Sequence, residues 1–243
     1  MPIGVIIDAL SVVIGGIIGS FAGGKMTAGF KEKMNMILGC CSMGMGISAI
    51  VLMKNMPAVI FSVILGTAIG LAIHLGDKID KGAMGMQGLI SRFVKTEHGK
   101  IPESEFMSTL VTCIVLFCAS GTGIYGSIVS GMTGDHSILI AKSILDLFTA
   151  FIFACTLGLV VSIVAVPQFI LFLLLFLLAG WIFPLTNGIM IDDFKACGGF
   201  IMFATGFRMI KVRMFPVADM LPAMIFVMPI SALWMSFVLP LVS

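Results

Sequence analysis

Three ionisable residues lie inside apolar runs of this 243-residue sequence: Asp8 in IGVIIDALSVVIGG, and Lys142 and Asp146 in ILIAKSILDLFTAFIF. A charge at membrane depth costs at least about 2.5–3.5 kcal/mol on insertion scales, so such a residue normally faces a partner or a watery cavity. Lys142 and Asp146 are four apart and share one helix face. Asp8 lies at a comparable distance from the start of its own run. Two readings stand side by side. In the first, Lys142 and Asp146 neutralise each other and Asp8 caps its helix by accepting backbone N–H bonds. In the second, an unpaired carboxylate binds a proton, a sodium ion or the cationic part of a solute, while Lys142 tunes Asp146 or holds an anionic group.

The segment ASGTGIYGSIVSGMTG at 119–134 is the second candidate. Glycine disfavours helix, and irregular backbone at membrane depth is tolerated only where protein or a water-filled cavity surrounds it. Backbone groups around Gly121, Thr122, Gly123 and Gly126 are therefore expected to orient a solute, with Tyr125 among them and Gly131 and Gly134 forming the exit loop. In the first apolar run, Gly15, Gly16, Gly19 and Gly23 recur at three- and four-residue offsets. They form a groove that fits either a neighbouring helix or a homodimer. Asn187, Asp192, Asp193 and Lys195 read as a solvated loop whose acidic pair could enrich cations.

Metal and catalytic chemistry find little support. Met34, Met36, Cys40, Cys41, Met43 and Met45 are soft ligands suited to Cu(I), but methionine is spread through almost every apolar run and reads as packing. The six cysteines form no CxxC pair, and His74, His98 and His136 are scattered. No nucleotide-binding or hydrolase string is present, so neither enzyme activity, cofactor, metal nor nucleic-acid partner is expected.

These residues must be positioned by membrane helices. With 59% hydrophobic and 11% charged residues and a net charge of +2, the chain has under half the charge of a soluble domain. We expect an all-α, polytopic membrane protein: one domain over 1–243, with the lipid bilayer as its first partner. Runs long enough to cross it fall at about 2–24, 35–53, 58–75, 106–124, 137–166, 169–187, 196–207 and 220–242, with Pro167 and Pro184 bounding the sixth and Pro222, Pro229 and Pro240 kinking the eighth. With both termini outside, the inner loops carry eleven Lys and Arg and the outer loops only Lys54 and Lys195. Within the inner segment 77–105, Ile79, Met86, Ile90, Phe93 and Val94 recur at helical spacing beside Lys81, Arg92 and Lys95, the pattern of an amphipathic helix on the cytoplasmic membrane surface. The start MPIGVIIDALSVV has no basic residue and reads as a retained helix.

A weak internal repeat is also present. ILGCCSMGMGISAI at 37–50 matches CGGFIMFATGFRMI at 197–210 through Gly39/Gly199, Gly46/Gly206 and Ile50/Ile210. The string 121–128, AKSILDLFTA around Lys142 and Asp146, Gly198–Gly199 and the LPA at 221–223 together resemble the bacterial YqgA/YdfK-type membrane proteins, a family of unknown function. Many members carry a proline in the glycine segment, which this chain lacks around Thr122. The resemblance implies a multi-pass protein of the bacterial inner membrane and names no substrate. The residues favour a small secondary transporter or facilitator of a solute or ion. The alternatives are a passive channel with a glycine-lined constriction and a scaffold that holds a partner through Lys81, Arg92 and Lys95.

Overall fold

Helix ends fall where local chemistry puts them in the computed structural model, which describes residues 1–22, 26–93, 103–118 and 120–242. The helices are α1 (Ile3–Ala22), α2 (Ala28–Ile50), α3 (Met56–Ala72), α4 (Leu75–Phe93), α5 (Glu103–Cys118), α6 (Gly121–Thr133), α7 (Ser137–Leu157), α8 (Val160–Ile182), α9 (Gly188–Met209), α10 (Pro222–Leu233) and α11 (Leu239–Val242). Thr27, Ser120 and Asn187 accept the third following backbone N–H and so start α2, α6 and α9. Gly134 at φ 74° ends α6, and Gly158 at φ 76° separates α7 from α8. Among the described residues there is no strand.

Several expected boundaries shift. The break between the fifth and sixth runs lies at Gly158, where a left-handed φ suits only glycine, and Pro167 sits inside α8. The glycine segment is helical from Gly121 onwards, because its glycines serve close packing and Gly134 alone adopts a positive φ. Asp192, Asp193 and Lys195 belong to α9, which starts eight residues before the expected seventh run. A five-residue π-helical turn, Trp234–Val238, divides the last run. Five helical spans are long and apolar enough to cross a membrane, or six if α3 and α4, bent by 60°, count as one. Of the eight runs expected, α2 and α9 are long enough but not apolar enough to count among them. Of the segment 77–105, residues up to 93 form the end of α4, and 94–102 lie outside the described residues.

Glycine sets how closely the helices approach. A Cβ added at Gly15 or Gly19 would collide with the carbonyl oxygen of Leu147 or Phe151, so α1 lies directly on the backbone of α7, parallel to it. Gly16 faces Ser162 of α8 in the same way. The groove is thus filled from within the chain, and Gly23 lies outside the described residues. Gly66 and Gly70 bring α3 against Ala223 and Asp219 beside α10.

The weak repeat has a direct structural meaning. α2 and α9 run antiparallel, with Gly39 against Gly206 and Ile210, and Gly46 and Ile50 against Gly199. Each matched residue therefore meets the counterpart of the residue that its own counterpart meets, as in an isologous interface. The matched positions differ by 160, as do the two capping residues Thr27 and Asn187. Two cross-helix hydrogen bonds join residues separated by that same 160: Ser42 Oγ to the Met202 carbonyl at 3.1 Å, and Gln168 Nε2 to Asp8 Oδ2 at 2.8 Å. Helices α1, α2 and α3 thus pair antiparallel with α8, α9 and α10, the arrangement of an inverted repeat around a pseudo-two-fold axis. Helices α4 to α7 fall between the two triplets.

Two carboxylates, Asp193 buried and Asp219 half-buried, hold the ends of this framework. Asp193, fully buried, accepts the backbone N–H groups of Lys54 and Asn55 at 2.8 and 2.9 Å, the Asn55 amide at 2.9 Å and the Ser231 hydroxyl at 2.6 Å. It therefore ties α9 and α10 to the start of α3, and is not part of a solvated loop. At the opposite face Asp219 accepts the Gly76 N–H at 2.8 Å and holds the bend into α4. Replacing Asp193 by Ala strands these donors and should lower stability by at least about 2 kcal/mol in a detergent unfolding titration. At Gly46 a new Cβ would stand 2.7 Å from the Gly199 carbonyl oxygen, whereas at Gly44 nothing lies within 4 Å. Gly46→Ala should accordingly destabilise by about 1–3 kcal/mol, while Gly44→Ala gains helix propensity and leaves the midpoint equal or higher.

Candidate functional site

The first turns of α1 and α7 start side by side, since Gly4 packs on Leu139 and His136. That register brings Asp8 opposite Lys142 and Asp146, about two helical turns inside the bundle. All three are withdrawn from the surface, with relative exposures of 0% for Asp8, 2% for Lys142 and 8% for Asp146. Lys142 Nζ donates to Asp8 Oδ2 at 3.3 Å and, one helical turn along its own helix, to Asp146 Oδ2. The ring of Phe172 lies under the ammonium, 5.4 Å from nitrogen to centroid, a cation–π contact within the usual range.

Gln168 of α8 completes the cluster. Its amide donates to Asp8 Oδ2 at 2.8 Å and to Asp146 Oδ2 at 3.2 Å, and the residue is fully buried. Three of the helices packed on one another, α1, α7 and α8, therefore converge on one hydrogen-bonded knot. Among the described residues, Asp8 Oδ1 and Gln168 Oε1 are buried acceptors without a hydrogen-bond donor. With both carboxylates ionised and Lys142 protonated, the cluster has a net charge of −1. In that state the excess charge would be costly to bury, and a proton on either carboxylate would make the cluster neutral.

Neither of the two readings from sequence describes the arrangement fully. Lys142 and Asp146 do pair, but Asp8 is an interior residue of α1 whose carboxylate turns to α7 and α8 instead of capping its own helix. The glycine segment contributes at one remove. A Cβ at Gly123 would collide with the Phe172 ring, so this glycine makes room for the aromatic face beneath Lys142. Gly126 packs on Leu139 and Ile138 of α7. Thr122 is buried and Gly121 opens α6, so these residues lie in regular helix and not in an unwound loop. Among the described residues no group of three or more His, Cys, Asp or Glu side chains could hold a metal ion.

Gln168 was hidden by its neighbour. Pro167 suggests a helix end, which puts Gln168 in a connecting segment. The available signal was its isolation: with Ser162 it is the only hydroxyl or amide side chain between 160 and 182. A polar amide in a run otherwise fit for lipid marks an interior contact.

Comparison with known proteins agrees with the membrane architecture. The chain is 43% identical over 234 residues to the uncharacterized protein YqgA of Escherichia coli (strain K12), covering 96% of this chain and 98% of that protein. It is 23% identical over 228 residues to YdfK of Bacillus subtilis (strain 168), described as an uncharacterized membrane protein, covering 91% and 92%. No solved structure matches the chain. The family model for a protein of unknown function, DUF554, matches residues 3–232, and with that near-complete coverage the chain belongs to the DUF554 family.

Proposed function

We propose that this protein is a small secondary transporter or facilitator of the bacterial inner membrane, with Asp8, Lys142, Asp146 and Gln168 as its ion site. The observation that carries the reading is the position of the cluster. The hydrogen bond between Asp8 and Gln168 joins equivalent positions of the inverted repeat, so the buried charge lies on the pseudo-two-fold axis. Inverted-repeat carriers hold their sites at that interface, and rocking of one repeat against the other exposes the site to each face in turn. In this reading one proton or small cation supplies the missing positive charge and uses the idle oxygens of Asp8 and Gln168. Lys142 keeps the two carboxylates together when that charge leaves.

The orientation belongs to the same proposal. The face carrying Lys31, Lys33 and the charged α4 is cytoplasmic, with α4 along the membrane surface after its bend from α3. Both chain ends are then outside.

The test is charge movement in proteoliposomes on a solid-supported membrane, challenged with pH steps and with pools of amino acids, organic acids, cations and anions. Wild type should give a transient with at least one challenge. Asp8→Asn and Asp146→Asn should each reduce it at least about tenfold while the protein remains folded and monodisperse. Equal transients in wild type and both variants would remove the cluster from the mechanism. Ohmic, non-saturating currents would identify a channel in place of a carrier.

A further inference from the structure

A cavity lies beside α7, next to the face that carries the charged cluster. Its volume is about 310 Å³, and it opens at the face that carries the α6–α7 turn and the start of α9. Met45, Ala49, Leu52, Ile138, Ala141 and Met202 give it apolar walls. Five polar residues interrupt them, Ser48 and Ser137 together with three whose polar groups keep spare bonding capacity, Tyr125, Asp135 and Lys195.

These three groups are poorly used by the protein itself. Tyr125 is fully buried, its ring fixed against Gly198 and Phe194, yet among the described residues its hydroxyl has no hydrogen-bond partner. A buried phenol without a partner forfeits about 1–3 kcal/mol unless a ligand or water supplies the bond. Asp135 accepts the Ser137 hydroxyl at 2.6 Å and the Ser137 N–H at 2.9 Å, both through Oδ1, and among the described residues Oδ2 accepts no bond. Those bonds from Ser137, with help from nearby Lys195, hold the Asp135 carboxyl below the ordinary carboxylate range, so it is ionised at neutral pH. Lys195 is close enough to act on Asp135, but among the described residues the two form no ion pair. Opposite charges held apart across an apolar cavity leave room for a molecule with the complementary pair.

We propose that this cavity binds a zwitterionic solute with an apolar side chain, an α-amino acid of about leucine or methionine size. The solute carboxylate meets Lys195 and the Tyr125 hydroxyl, the ammonium meets Asp135, and the side chain lies among Met45, Leu52, Ile138 and Met202. The volume lies at the lower end of small-molecule sites, which suits a single amino acid and excludes a peptide or nucleotide. Ala141 borders the cavity while the next residue, Lys142, turned about 100° around α7, belongs to the charged cluster, so the two sites sit on neighbouring faces of one helix. The inference goes beyond the transport reading and stands as a binding site without it.

Isothermal titration of the full-length protein in detergent tests it with L-leucine, L-methionine and glycine, and with two leucine analogues that each lack one charge, 4-methylpentanoate and 3-methylbutylamine. L-leucine or L-methionine should bind, and each single-charge analogue at least about tenfold more weakly, as for ligands that leave a buried polar partner unmet. Glycine should bind more weakly than leucine for want of the side chain. Lys195→Gln should lose at least about tenfold in affinity and Tyr125→Phe about three- to tenfold, with unchanged melting profiles. Binding by wild type without charge movement would retain this site and discard the carrier. No heat with either amino acid at millimolar concentration, equal affinity for leucine and 4-methylpentanoate, or unaltered affinity in Lys195→Gln would each overturn the proposal.

Discussion

A carboxylate in the interior of a membrane protein survives only if polar partners reach it, and Asp8 is reached from two helices at once. Its Oδ2 takes bonds from Lys142 on α7 and from Gln168 on α8, so the register of α1 against both neighbours follows from that one atom. The glycines of α1 are the other half of the same constraint. Lys142 and Gln168 reach Asp8 because Gly15, Gly16 and Gly19 let the three backbones touch. A bulkier α1 would separate the helices and leave the acid unpaired.

The chemistry of the cluster was therefore largely legible in the sequence. Three ionisable residues at matching depth in long apolar runs have few other ways to be accommodated, and Asp8, Lys142 and Asp146 do meet. Gln168 was not legible, because Pro167 carries a strong local meaning that its tertiary surroundings override: the helix passes through the proline. The glycine segment was misjudged for a related reason. Helix propensity penalises each glycine by about 1 kcal/mol, but close packing on Phe172 and Phe176 outweighs that penalty in α6. Asp193 looked like a loop residue since its partners, Lys54, Asn55 and Ser231, are remote in sequence.

The repeat illustrates how little sequence identity an architecture needs. Matching Gly39, Gly46 and Ile50 with Gly199, Gly206 and Ile210 gives a thin alignment, yet these are contact positions of the α2–α9 crossing. Lipid-facing positions need only be apolar and drift freely, whereas a site of backbone contact tolerates glycine and little else. The surviving identities mark the interface, and the interface in turn fixes the offset between the halves.

Asp8 and Gln168 occupy equivalent places, but one is an acid and the other an amide, and α7 with its lysine and second acid has only one place beside them. A single helix cannot stand on both sides of a two-fold axis. The symmetry that would make the two membrane faces interchangeable is broken at the axis itself, by composition and by the intervening helices. Under the proposed carrier function, any motion that swaps the roles of the two repeats runs between states of unequal energy, which would give one face a preference before any gradient acts.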